Sequence, residues 1–230
     1  MKKYIAAAIA FAFLPIHAMA AEVTIVGSGA FTTSGFSGQL SNGQGILIAN
    51  PFDEPSEKLF SFEVVLDTDV ADTDSGANAG LFPAVTSFKV TNALCSVDLG
   101  AGDVQIGSLS SDQVVISAAA GSGSVACDDV PVALSSVDLS FGFDLGEIAT
   151  NELDPLDWPI ADANFASLRL NFSETIVGPV LTATRNGTAS GAVTDISVVP
   201  LPGALALFAP VVIAVGFARR GNQGRPKTSA

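Results

Sequence analysis

Strict two-residue alternation of apolar and polar side chains is the feature that most constrains this chain. Over residues 59–66, Phe60, Phe62, Val64 and Leu66 fall on one side, and Ser61 and Glu63 fall on the other. Val137, Leu139, Phe141 and Phe143 repeat the pattern against Asp138 and Ser140. Leu168, Leu170 and Phe172 repeat it against Arg169 and Asn171. Only an extended strand turns successive side chains to opposite faces, so each stretch predicts a half-buried β-strand. Further strands are expected at 22–26, 45–49, 85–91, 104–109, 113–117 and 192–198, punctuated by Gly and Ser clusters such as 34–38 and 121–124. Pro155 and Pro159 make 151–159 a loop, and 186–191 reads as a hairpin in Gly and Thr. No stretch of the body holds a helical period for more than a turn or two. The expected class is all-β: an antiparallel, jelly-roll-like β-sandwich built of two stacked sheets.

The two ends follow other rules. Lys2 and Lys3 precede an apolar run over 5–14, Pro15 breaks it, and Ala18 and Ala20 supply the small residues of a signal-peptide cleavage site. Residues 1–20 are therefore expected to be a signal helix removed by signal peptidase after passage through the Sec translocon, with Ala21 as the new N-terminus. At the other end an uncharged stretch, 203–218, follows Val199-Pro200-Leu201-Pro202 and is closed by Arg219 and Arg220. As a helix it reaches about 24 Å, a little short of the ~30 Å hydrocarbon core. Pro210 should kink it. The arginine pair predicts a cytoplasmic end and puts the main domain outside. The expected organisation is a signal peptide (1–20), a β-sandwich domain (21–197), a single-span sorting segment (198–220) and a cytoplasmic tail (221–230).

Val199-Pro200-Leu201-Pro202, a hydrophobic helix and the Arg219-Arg220 pair together resemble the VPLPA-type PEP-CTERM sorting signals. The resemblance covers 199–220 and says little about the domain. It implies processing by a membrane exosortase, transient anchoring in the inner membrane with the domain in the periplasm, and then a cell-surface or extracellular destination. It also implies association with exopolysaccharide and biofilm. Gly203 stands where the family usually has Ala, and ten residues follow the arginines where members usually end. A weaker likeness, Asp72-Thr73-Asp74 followed by the strand at 80–88, resembles a segment of other proteins carrying this signal and implies no activity.

Composition then excludes chemistries. All 23 acidic residues lie between 21 and 202, against Lys58, Lys89, Arg169 and Arg185, a body charge of −19. Such a surface repels phosphate backbones and anionic headgroups, so nucleic acid is not an expected partner. The single histidine, His17, falls in the signal peptide. A mature chain without histidine cannot build a Ser-His-Asp or Cys-His site or a His-ligated zinc site, so no catalytic residue is expected. Paired carboxylates could still hydrolyse a glycoside, but Glu54, Glu63, Glu147, Glu152 and Glu174 form no recognisable constellation. Cys95 and Cys127 are the only cysteines. An oxidising compartment makes a disulfide their expected state.

Three local features complete the candidates. Asp67, Asp69, Asp72 and Asp74 form an acidic loop that either holds calcium or is ordinarily solvated; the spacing fails the EF-hand pattern. No other cofactor is expected. Gly27-Ser28-Gly29 mimics a dinucleotide fingerprint but lacks the third glycine and a following helix, and reads as a turn. Trp158 lies in a loop, where its indole either stacks on a sugar ring or folds inward as a plug over the sheet edge, the favoured reading. The expected function is a non-enzymatic surface or matrix protein. A glycan-binding module, with or without calcium, is the alternative, and a carboxylate glycoside hydrolase a more remote one.

Overall fold

The alternating stretches become strands because each has one face to bury. The computed structural model describes residues 22–200, apart from Ser75, Ala77, Leu109, Thr150 and Asn151. The expected signal segment at 1–20 and the expected span at 203–218 lie outside the described residues. Among the described residues no helix is long and apolar enough to cross a membrane.

Eleven strands run β1 (Glu22–Leu40), β2 (Gly45–Ile46), β3 (Leu59–Asp67), β4 (Ala79–Asn92), β5 (Cys95–Leu99), β6 (Gly102–Ser108), β7 (Asp112–Ala119), β8 (Gly123–Cys127), β9 (Leu134–Phe143), β10 (Phe165–Val177) and β11 (Thr182–Pro200). All their pairings are antiparallel. The all-β, antiparallel expectation holds.

The arrangement is sandwich-like, with three long strands shared between its two faces. The first half of β1 pairs with β3, and its far end with β2. β11 runs beside β1 throughout, but only its residues 182–192 meet β10. β4 gives residues 79–85 to β6 and residues 85–92 to β3, with β5 beyond. One face is thus β8–β5–β4–β3–β1–β11, and the other is β2–β1–β11–β10–β9–β7–β6–β4. Register shifts fall where the shared strands change face: Ser28/Gly29 and Phe31/Thr33 in β1, and Phe82/Val85 around Pro83 in β4. Bulges bend a strand and increase its twist, which is how a strand turns the corner between two sheets. Proline, lacking a ladder donor, is tolerated at such a bulge.

Two expectations are corrected here. A jelly roll needs Greek-key jumps, whereas the closed circuit of neighbours β1–β3–β4–β6–β7–β9–β10–β11 follows chain order. The Gly-rich stretches 34–38 and 186–191 and the Gly27-Ser28-Gly29 turn are not turns but strand, because β1 and β11 pair from Val23↔Pro200 to Leu40↔Ala183. Partner pairing overrides weak strand propensity. Glycine serves the corner: a methyl on Gly29 or Gly191 would overlap the carbonyl of the facing strand. β11 continues to Pro200, so it includes the first residues, 198–200, of the expected sorting segment.

Both inner faces contribute to one core. Phe60 from β3, Phe31 and Phe36 from β1 and Phe172 from β10 gather around Phe52, a fully buried ring delivered by the β2–β3 loop. Asn50 shapes that loop: its Oδ1 accepts the Phe52 N–H at 3.2 Å, and its Nδ2 donates to Ser34 Oγ at 2.8 Å.

Cys95 and Cys127 are directly opposed in the β5–β8 ladder and form the expected disulfide across a sequence separation of 32. It clamps the short edge strand β8 to β5. In the chain-entropy picture a loop of this size is worth about 3–4 kcal/mol. The double replacement Cys95→Ser, Cys127→Ser should lower the unfolding free energy by about that much in urea titrations. Thiol titration of the non-reduced, unfolded wild type should find no free thiol.

Candidate functional site

Strand alternation that buries Leu168, Leu170, Val137, Leu139, Val114 and Ile116 sends their neighbours to the outside of the second face. Register aligns those neighbours in rows across the strands. One row runs Ser190 (β11), Arg169 (β10), Asp138 (β9), Ser117 (β7). The next runs Ala192, Ser167, Ser140, Val115, and the third runs Phe165, Gly142, Gln113. The face is concave and forms an open groove of about 630 Å³ lined by these residues and Thr32. Thr32 is the extra residue of the β1 bulge between Phe31 and Thr33, and the bulge turns it toward the groove.

Two features set this groove apart from an ordinary solvated sheet. Phe165 is 46% exposed on a face otherwise made of small and polar side chains. Its ring lies over Gly142 of the neighbouring strand, in the space a Cβ there would occupy. The position of the ring is held: Asn164 donates its backbone N–H to the Gly142 carbonyl at 2.8 Å and its Nδ2 to Asp144 Oδ1 at 3.0 Å. The second feature is polar groups without protein partners. Asn171 Nδ2 donates to Asp138 Oδ2 at 2.6 Å and to Ser136 Oγ at 3.0 Å. Arg169, although opposite Asp138 in register, makes no hydrogen bond or ion pair among the described residues. The side chains of Gln113, Ser117, Ser140, Ser167 and Ser190 likewise carry none among the described residues. Donors and acceptors therefore converge on the groove free for a ligand. Asp138 is the carboxylate that lines it, and the same row continues past Ser117 to the exposed Asp103 of β6, in an adjoining depression that shares Ser117 and Asp138.

Behind the ring end of the groove sits Asp112, fully buried at the start of β7. Its Oδ2 accepts the backbone N–H groups of Gly146 (2.9 Å) and Ile148 (2.8 Å), pinning the loop that carries Asp144. Burial alone pushes this carboxyl up. The Ser108 hydroxyl and the N–H groups of Ile148, Gly146 and Glu147 together outweigh burial and hold the pKa below the ordinary value. A depressed folded-state pKa means that the stabilisation is complete above the unfolded value, ~3.9, and is lost as pH falls through the folded value.

The sequence candidates fare unevenly. Trp158 is 7% exposed and belongs to the core, so its indole offers no stacking face and the plug reading stands. Three of the four aspartates over 67–74 engage the loop's own backbone. Asp67 Oδ1 accepts the Asp69 N–H, Asp72 Oδ1 accepts those of Asp74 and Leu81, and Asp74 Oδ1 accepts that of Gly76. These carboxylates shape the loop's backbone, and among the described residues no three acidic, His or Cys groups gather as metal ligands. Val199 and Pro200 end β11, facing Thr24 and Val23. Leu201, Pro202, Arg219, Arg220, Ala18, Ala20 and Ala21 lie outside the described residues. The groove residues were visible in sequence only as the polar sides of strands; an isolated outward phenylalanine two residues before Ser167 and four before Arg169 is the one signal that could have marked them.

Two measurements check these assignments. Asp112→Asn should destabilise the fold by about 1–3 kcal/mol, the cost of disrupting buried charge-assisted bonds. It should also flatten the loss of stability that wild type shows below about pH 4 in urea titrations. Millimolar calcium should produce no calorimetric heat and no rise in Tm. No family model, no curated protein and no solved structure matches this chain.

Proposed function

We propose that this chain is an exported, non-enzymatic cell-surface or matrix protein, and that the concave outer groove is its working face toward exopolysaccharide of the biofilm matrix. On this reading it crosses by the Sec translocon and loses residues 1–20. It is held in the inner membrane with the domain in the periplasm, then processed at the Val199–Pro202 motif by an exosortase-type enzyme.

The groove carries the reading. Its free hydroxyls, one unengaged guanidinium and one exposed ring suit holding a polymer. The β1–β11 register also supports it. Val23 opposite Pro200 brings the first and last described residues of the domain to one edge of the sheet. Because Val199 and Pro200 are ladder residues, a processing enzyme that leaves the domain folded must cut beyond Pro200.

Intact mass of the protein recovered from surface and medium fractions tests this. The expected species begins at Ala21, ends beyond Pro200 and contains one disulfide. Replacing Pro200, Leu201 and Pro202 together by alanine should leave the chain in the inner-membrane fraction. Recovery of the unprocessed chain from the cytoplasm would end the proposal.

A further inference from the structure

We propose that the groove binds a neutral glycan, with Phe165 as the stacking platform and the Ser190–Arg169–Asp138–Ser117 row reading the sugar hydroxyls. This deepens the matrix-facing reading and rests on it for biological setting only; the chemistry stands on the groove.

A sugar ring presents an apolar C–H face and a rim of hydroxyls that donate and accept at once. The groove offers the complement. Phe165 lies across Gly142 and exposes its upper surface, a flat apolar patch among small polar side chains. Serine hydroxyls can donate or accept, the Arg169 guanidinium only donates, and the Asp138 carboxylate only accepts. Asn171 occupies one Asp138 oxygen and fixes the carboxylate in place. Rows from β11, β10, β9 and β7, together with Thr32 of β1, span five strands. At about 4.8 Å per strand that is roughly 19 Å, room for a short oligosaccharide within a longer chain.

Other occupants fit less well. An added peptide strand needs an open edge, yet β9 and β10 are paired on both sides beneath the groove. An anionic polymer meets a single cation, Arg169, with Asp138 beside it in register and a domain of charge −19 around it. A neutral polyol has neither difficulty. The groove is open rather than enclosed and mixes polar with apolar lining, which sets single-site affinity low and makes contact along a polymer the effective mode.

The test is affinity electrophoresis and calorimetry of the mature protein recovered from cells. The probes are soluble neutral polysaccharides (β-glucan, glucomannan, dextran), the neutral polysaccharide fraction extracted from the producing cells, a polyuronate and denatured casein. Wild type should be retarded by at least one neutral polymer and by neither the polyuronate nor casein. Phe165→Ala should weaken binding about tenfold, the order of one aromatic contact. Phe165→Trp should restore it. Gly142→Ala, which pushes the ring off its seat, and Arg169→Gln should each weaken it, while Lys89→Gln on the other face should leave it unchanged. Unchanged Tm separates these losses from unfolding. Retention by no neutral polymer, retention only by polyuronate or casein, or neutral binding indifferent to Phe165→Ala and Arg169→Gln would each overturn the proposal. A protein that binds neutral glycan yet stays in the cytoplasm would overturn the matrix reading alone.

Discussion

The ladder between β1 and β11 is the constraint on which the rest of the structure depends. It joins the first described strand to the last along almost their entire lengths, and both strands turn the same corner from one sheet to the other. The corner requires glycine where the backbones close in, at Gly29 and Gly191, and a bulge at Thr32. Without that turn the two inner faces would not meet over Phe31, Phe52 and Phe60, and Thr32 would not reach the groove. The pairing is also the most non-local one the chain can make. Loop-closure entropy must be met before such contacts contribute, so the ladder closes late and the fold is a slow one.

What could be read from sequence follows from this. β3, β9 and β10 were legible because each buries one face and leaves the other in water, and Phe60-Ser61-Phe62-Glu63 states that directly. β5 carries the same signal in Cys95, Val97 and Leu99 against Ser96 and Asp98, but over only five residues. The Gly- and Ser-rich halves of β1 and β11 were illegible. Their strand character comes from each other, and small residues that permit a corner resemble small residues that make a turn. Trp158 and the aspartates 67–74 show a related limit: residue type suggested a ligand, while burial gave the indole to the core and local N–H groups engaged the carboxylates of Asp67, Asp72 and Asp74. Arg169 and Asp138 were read as strand polarity. Nothing in one dimension says that four strands bring them into one row with Ser117 and Ser190; that is a fact of register.

Charge and groove chemistry belong together. A body of 23 acidic residues and four basic ones keeps polyanions at a distance. The groove is the exception in character, locally balanced by one arginine and one aspartate and otherwise uncharged. On the proposed reading, an acidic surface around a locally balanced groove would select by exclusion as much as by contact, favouring uncharged hydrogen-bonding polymers.

The β5–β8 flap ties the fold back to the export route proposed for it. β8 is a five-residue, largely exposed edge strand, and edge strands are where sheets recruit unwanted partners. Here it is short, and the bond between Cys95 and Cys127 holds it in register against β5, which itself reaches the sheet only through residues 88–91 of β4. That restraint exists only where thiols are oxidised. The β1–β11 ladder, for its part, cannot close until the last strand has emerged. On the proposed export route, both requirements would be met together once the whole domain had crossed into an oxidising space. A chain translocated unfolded would then gain, at one stage, the strand that completes its sheets and the bond that secures their weakest edge.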